Sequence, residues 1–172
     1  MRKLTHAQIV TRQVSQLSKV RIPVTVILNN IRSLHNVGSI FRTADGAGLE
    51  KIYLCGYTGY PPQGGIAKTA LGAEVHVPWE YQENAVEVIK KLRIKGYQIV
   101  LLELIEGSVS HDAFKPKGPV CLVLGNEVTG ISEELLKLAD QAIEIDMAGI
   151  KNSLNVSVAF GVVVYHLRQF FK

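Results

Sequence analysis

Acidic residues are missing from the first 44 positions of the chain, although Arg2, Lys3, Arg12, Lys19, Arg21, Arg32 and Arg42 all fall there. All 15 Asp and Glu lie beyond that point, so the net charge of +4 hides a basic N-terminal part and a slightly acidic remainder. Such asymmetry fits a phosphate-binding face built largely by the N-terminal part, though a solvated basic helix would carry the same charges without a partner. Cysteine is scarce. Cys55 and Cys121 are far apart in no metal-type spacing, which reads as small core residues rather than a bridge or a site. The five histidines show no His-x-x-x-His or mixed Cys spacing, so no metal is expected; His35, beside Asn36, is the one in a loop worth following. Long apolar runs are absent too. Val156 to Leu167 is broken by Ser157 and His166 and is too short to span a bilayer. Arg2 and Lys3 are not followed by the apolar core and cleavage site of a secretory signal, so a cytoplasmic location is expected and no membrane association. The chain also lacks a Gly-Lys-Ser/Thr phosphate loop and a Gly-x-Gly-x-x-Gly fingerprint, which weakens nucleoside-triphosphate and NAD readings.

What is present is the pattern of one α/β domain. At 172 residues and 47% hydrophobic composition, a substantial core is affordable without disulfides. Leu4, Ala7, Val10, Val14 and Leu17 recur at helical spacing, which divides the chain into an N-terminal amphipathic helix within 1–20 and a body over 21–172. That helix is expected to pack on the body or on a partner. Val24 to Leu28, Ile52 to Leu54, Tyr97 to Leu104, Val120 to Leu124 and Gln141 to Ile145 read as strands, with an edge strand suggested by the alternation of Val75, Val77 and Trp79. Between them, residues 81 to 95 read as a helix with Ala85, Val88, Ile89 and Leu92 facing in, and Ser132 to Leu138 as a shorter one. Asn36 is the expected cap of a helix carrying Ile40, Phe41 and Ala44 inward, with Arg42 beyond. Tyr57 to Leu71, rich in Gly and Pro with Lys68 interleaved, reads as a long loop suited to RNA contact or as a variable connector. Strands alternating with helices imply a mainly parallel sheet flanked by helices.

The chemistry concentrates after Ile145. Gly149 allows a turn, Ser153 is placed to cap the apolar segment that ends near Phe171, and Asn155 and Ser157 add polar groups to its first turn. Polar groups where burial is expected need partners, and a ligand can supply them.

Ser153-Leu154-Asn155-Val156-Ser157-Val158-Ala159 resembles the third motif of the SpoU/TrmH family, the ribose 2′-O-methyltransferases of the SPOUT superfamily. Asn36 to Thr43 is similar to the family's first motif and Leu124 to Gly130 to its second, in the family's order. The resemblance implies a deep C-terminal trefoil knot, an exception to the rule of unthreaded topologies. It further implies a homodimer with sites at the interface, an RNA substrate (tRNA or rRNA), and S-adenosyl-L-methionine held near Leu104, Gly125, Ile145, Met147 and Leu154. Arg42, Asn36, Glu127, Ser153 and Asn155 are the catalytic positions it implies. A guanidinium is effectively always protonated, so Arg42 is read as orienting phosphate and ribose and stabilising a developing alkoxide rather than as a literal base. One departure stands out: Asp146 occupies a position where the family usually has proline, which removes a fixed φ and adds a charge. The rival reading is a non-catalytic RNA-binding protein on the same scaffold; a small-molecule or protein methyltransferase fits the basic N-terminal part less well.

Overall fold

The computed structural model describes residues 1–16 and 21–171. Among them, seven strands form one sheet: β1 (Ile22–Asn29), β2 (Leu49–Cys55), β3 (Trp79–Gln82), β4 (Gln98–Leu102), β5 (Val109–Ser110), β6 (Val120–Leu124) and β7 (Gln141–Glu144). Their order is β3-β2-β1-β6-β4-β7-β5, and every pairing is parallel. The expected α/β class with a parallel sheet is what forms.

The unbroken apolar runs explain the centre of the sheet. Strands covered on both faces have no wet side to alternate against, and Val24 to Leu28 and Val120 to Leu124 are buried throughout. Successive side chains of β1 serve opposite layers. Val24, Val26 and Leu28 join the core made with α2 (Leu34–Ala47), α3 (Gly64–Ala70), α4 (Ala73–His76) and α7 (Val156–Arg168). Ile27 joins the other core, made with α5 (Ala85–Ile94) and α6 (Glu133–Leu136). Ala85, Val88, Ile89 and Leu92 face that core as their spacing requires. Cys55 and Cys121 are free and buried in it, and burial pushes the Cys55 thiol up to about 12 and raises that of Cys121 as well. They are inert filling.

Helix starts differ from expectation. Ser33, not Asn36, caps α2, its hydroxyl accepting from the Asn36 N–H at 3.3 Å. Asn155, not Ser153, caps α7, its side chain accepting from the Ser157 N–H at 2.9 Å. Both shifts move a short polar residue by two or three places among several that could serve. The stretch 57–71 is not all loop, because it holds α3 after the Pro61–Pro62 turn. Gly38 of α2 is why α3 can dock: a β-carbon there would lie 2.2 Å from Thr69 Oγ1 and 2.3 Å from the Ile66 carbonyl. Residues 73–76 are helical, so the alternation from Val75 misplaces an edge strand that begins at Trp79 and pairs with β2. The two-residue β5 is too short to carry a pattern in the sequence.

Two apolar surfaces stay open. α1 spans His6–Gln16 with Leu4, Ile9, Val10 and Val14 exposed, while Leu17 and Lys19 of the expected stripe lie outside the described residues. α7 buries Phe160, Val163, Val164 and Leu167, but Val158, Val162 and Tyr165 face outward, so it is not the wholly internal helix its composition allowed. Among the described residues no helix is long and apolar enough to cross a membrane.

Candidate active site

Strands β6, β4 and β7 are neighbours, and parallel strands release their following loops on one edge of the sheet. Those loops and the start of α7 enclose a cleft of about 550 Å³. Leu104, Gly125, Ile145, Met147 and Leu154 all line it, and so do Glu127, Ser153 and Asn155. Leu104 at 60% exposure and Leu154 at 38% offer apolar surface to solvent inside a concave site, as an incompletely polar ligand requires. The space and this mixed lining fit a bent nucleoside-sulfonium cofactor.

The floor is set by the loop after β6. Asn126, 7% exposed, donates from Nδ2 to the Asn30 carbonyl (2.9 Å) and to Tyr57 Oη (2.8 Å). Its Oδ1 accepts from the Val128 and Thr129 N–H groups, each at 2.8 Å, folding the loop back on itself. Asn126 and Gly130 then exchange backbone bonds of 3.2 and 3.0 Å. Gly125 is required by that closure: a β-carbon would meet the Gly130 carbonyl carbon at 2.6 Å. Its missing side chain makes room for the protein's own backbone. Asn126 stands beside Glu127 in the second motif, but nothing in the local sequence marks its bonds to Asn30 and Tyr57.

The rim is a hydrogen-bonded chain across three distant segments. Glu127 accepts from the backbone N–H of Arg32 (3.1 Å) and Ser33 (3.4 Å) and from Asn36 Nδ2 (3.0 Å). Asn36 Oδ1 in turn accepts from Asn155 Nδ2 at 3.1 Å, and Asn155 Oδ1 accepts from the Ser157 hydroxyl at 2.7 Å. Residues 91 and 119 positions apart are thereby held in one line. Burial alone would raise the Glu127 carboxyl, but the N–H donors at the start of α2, the Asn36 amide and its own backbone outweigh it, and the pKa falls below the usual range. A carboxylate so supplied with donors is a poor base and a good anchor.

Arg42 is set apart from this line. It is exposed on α2, is not among the residues lining the cleft, and has no hydrogen bond or ion pair among the described residues. Ser153 lines the cleft with a hydroxyl that likewise has no partner there. His35 is exposed, and only its backbone carbonyl is engaged, accepting from Thr69 Oγ1 at 2.9 Å. Asp146 points back to β5, where the Ser110 hydroxyl donates to it at 2.5 Å. Glu103, Val128, Glu144 and Asn152 also line the cleft, and nothing in their local spacing marks them. No three His, Cys, Asp or Glu side chains among the described residues gather as a metal-holding group.

The fold superposes on solved RNA-modifying methyltransferases. The TrmH/SpoU tRNA modifying enzyme of A. aeolicus superposes with a TM-score of 0.81 at 30% identity, covering 94% of this chain and 84% of that one. An AdoMet-bound rRNA methyltransferase from Sinorhizobium meliloti gives 0.80 at 33% identity, covering 85% and 56%. The chain belongs to the SpoU rRNA Methylase family, whose model matches residues 23–165. A tRNA (guanosine(18)-2'-O)-methyltransferase from Aquifex aeolicus is 33% identical over 157 residues, 89% of this chain and 72% of its relative. The Escherichia coli enzyme of the same name is 32% identical over 145 residues, and there the chain spans 62% of the relative's length.

Proposed function

We propose that this chain is an S-adenosylmethionine-dependent enzyme that methylates a ribose 2′-hydroxyl of tRNA or rRNA. The observation that carries this reading is the rim: Asn36, Glu127 and Asn155, one from each motif, are bonded into a single line beside the cleft. Nothing about folding alone requires side chains from three separate segments of the chain to share one polar line at a ligand's edge. Leu104, Gly125, Ile145, Met147 and Leu154 would hold the cofactor, which supplies an electrophilic methyl group. The protein contributes position. Glu127 fixes the start of α2 and Asn36, Asn155 fixes the start of α7, and the free Ser153 hydroxyl is available to a ribose or to the cofactor. Arg42, unpaired and permanently charged, grips an RNA phosphate and steadies the oxyanion that forms as the hydroxyl loses its proton.

The finer features belong to the same reading. A homodimer would cover the outward Val158, Val162 and Tyr165 of α7 and bring Arg42 to a cleft that it does not line in its own subunit. The C-terminal segment would thread a loop as a trefoil knot, a reading supported by α7 packing back on α2 after β7 has paired with β4. A cytoplasmic setting, where tRNA and rRNA are abundant, follows. Radiolabelled S-adenosylmethionine with total tRNA and rRNA, followed by nucleoside mass spectrometry, tests the activity. A 2′-O-methylated nucleoside is expected; RNA binding without cofactor binding or methyl transfer would replace the reading with the non-catalytic one.

A further inference from the structure

A second cavity, of about 410 Å³, opens on the same edge of the sheet beyond the ends of β1 and β2. Its lining includes Asn29, Asn30, Glu83, Asn84, Ser132 and Glu134. Asn29 is the unusual member. It is the last residue of β1, 9% exposed, and its side-chain amide has no partner among the described residues. Two other unpartnered polar atoms, Glu74 Oε2 and His111 Nδ1, are sealed from solvent, whereas Asn29 lines an open cavity. The Asn29 side chain is thus nearly covered by the fold yet open to the cavity, where a ligand can supply the bonds that the fold does not.

The surroundings state what would complete it. No Lys or Arg is among the described residues that line the cavity, and Glu83 and Glu134 bring two carboxylates whose side chains have no partner among the described residues, so phosphate is repelled. Asn84 uses its Oδ1 on the Val86 N–H at 2.8 Å, leaving its NH₂ free. The set therefore offers amide donors next to carboxylate acceptors, the complement of a neutral ring bearing a carbonyl beside two N–H groups. Of the RNA bases only guanine presents that edge, with O6 as acceptor and N1–H and N2–H as donors. The cavity also shares a wall with the first cleft, since Asn126, which lines that cleft, donates to the carbonyl of Asn30, which lines this cavity.

We infer that this cavity receives an unstacked guanine of the RNA substrate, read by the Asn29 amide and the Glu83 and Glu134 carboxylates. The identity of the ligand rests on the RNA methyltransferase reading, but the pocket can be tested without turnover. In ¹⁵N-correlated NMR, guanosine 5′-monophosphate should shift the Asn29 side-chain NH₂ saturably, while AMP, CMP and UMP leave it in place. No shift, or equal shifts with all four nucleotides, overturns the assignment, and a shift with Mg²⁺ alone would make it a cation site instead. Asn29→Val separates recognition from structure. It should keep or raise the Tm while raising the RNA concentration for half-maximal methylation on the order of tenfold, as loss of one base contact does. A lowered Tm with unchanged RNA dependence would make Asn29 a structural residue and sink the proposal. Calorimetry with S-adenosylmethionine should be unchanged in this variant and in Glu83→Gln/Glu134→Gln, so a failed cofactor site is told apart from a failed base pocket.

Discussion

Asn36 and Arg42 stand on one helix six residues apart, and the fold treats them in opposite ways. Asn36 is half-buried and bonded on both sides, to Glu127 and to Asn155. Arg42 is exposed with no partner of its own among the described residues. A group whose bonds are all made within the chain positions others, and a charged group left free is available to a ligand. The two kinds of residue should therefore fail differently when mutated. Positioning residues should lose stability and rate together, and the free residue should lose rate alone.

The largest effect is expected at Arg42. Arg42→Ala should lower kcat/KM for RNA methylation about 10²–10³-fold, the usual result of removing one donor to a developing oxyanion. Its Tm should hold, because exposed substitutions without partners stay within ~0.5 kcal/mol. Arg42→Lys should recover little, since an ammonium does not reproduce a planar fork. Full turnover in Arg42→Lys at saturating RNA, or a clear drop in Tm for Arg42→Ala, would dissolve the contrast with Asn36.

Asn36 and Glu127 come next, with both losses at once. Asn36→Ala leaves Asn155 Nδ2 and one Glu127 oxygen short of a partner, so unfolding by denaturant should show a loss of ~1–3 kcal/mol and a rate about tenfold lower. Glu127→Gln adds a pH test. Because folding lowers the Glu127 pKa, its contribution to stability is fully present above the unfolded carboxylate value and is lost as pH falls through the folded one. The Tm gap between wild type and Glu127→Gln should be constant near neutrality and close below about pH 4. A gap that persists into acid would mean that the ionised carboxylate is not what holds the start of α2.

How much of this could be read from the chain depends on the range of the interaction concerned. Strands covered on both faces announce themselves, which is why Val120–Leu124 matches its strand residue for residue. Caps do not: Ser33 and Asn36, or Ser153 and Asn155, carry nearly the same local signal, and bonds to Glu127 and the Ser157 N–H decide between them. α3 was hidden because Gly38 makes its docking surface some thirty residues earlier. Motif residues around the cleft were visible as motifs, but the role of Asn126 within the second one was not, since its partners, the Asn30 carbonyl and Tyr57 Oη, lie 96 and 69 positions away; Asn152 joins the cleft only once β7 lies beside β4.

A smaller effect belongs to the start of α7. Asn155 both caps that helix and donates to Asn36, so Asn155→Ala should cost ~1 kcal/mol through the cap. Asn155→Asp keeps an acceptor for the Ser157 N–H but loses the donor to Asn36, so it should regain the stability and not the rate. Equal recovery of both would mean that the cap alone matters and that the line to Asn36 is incidental.

The smallest effect tests whether a positioning contact can replace a backbone constraint. Where the family resemblance implies a proline, Asp146 is tied to Ser110 at the end of the two-residue strand β5. A proline would hold the loop by fixing φ, whereas here a charge-assisted hydrogen bond holds it from outside. If the two devices do the same job, Ser110→Ala should weaken S-adenosylmethionine binding by about two- to fivefold, within the ~1 kcal/mol of one such exposed bond, and leave kcat unchanged. Asp146→Pro in the Ser110→Ala background should then restore the affinity, because the loop no longer depends on β5. Calorimetric titration reads both. An affinity indifferent to Ser110→Ala would place Asp146 with Arg42 as a residue free for a ligand, and a kcat that fell with the affinity would place it with Asn36 in the line that positions the reacting groups.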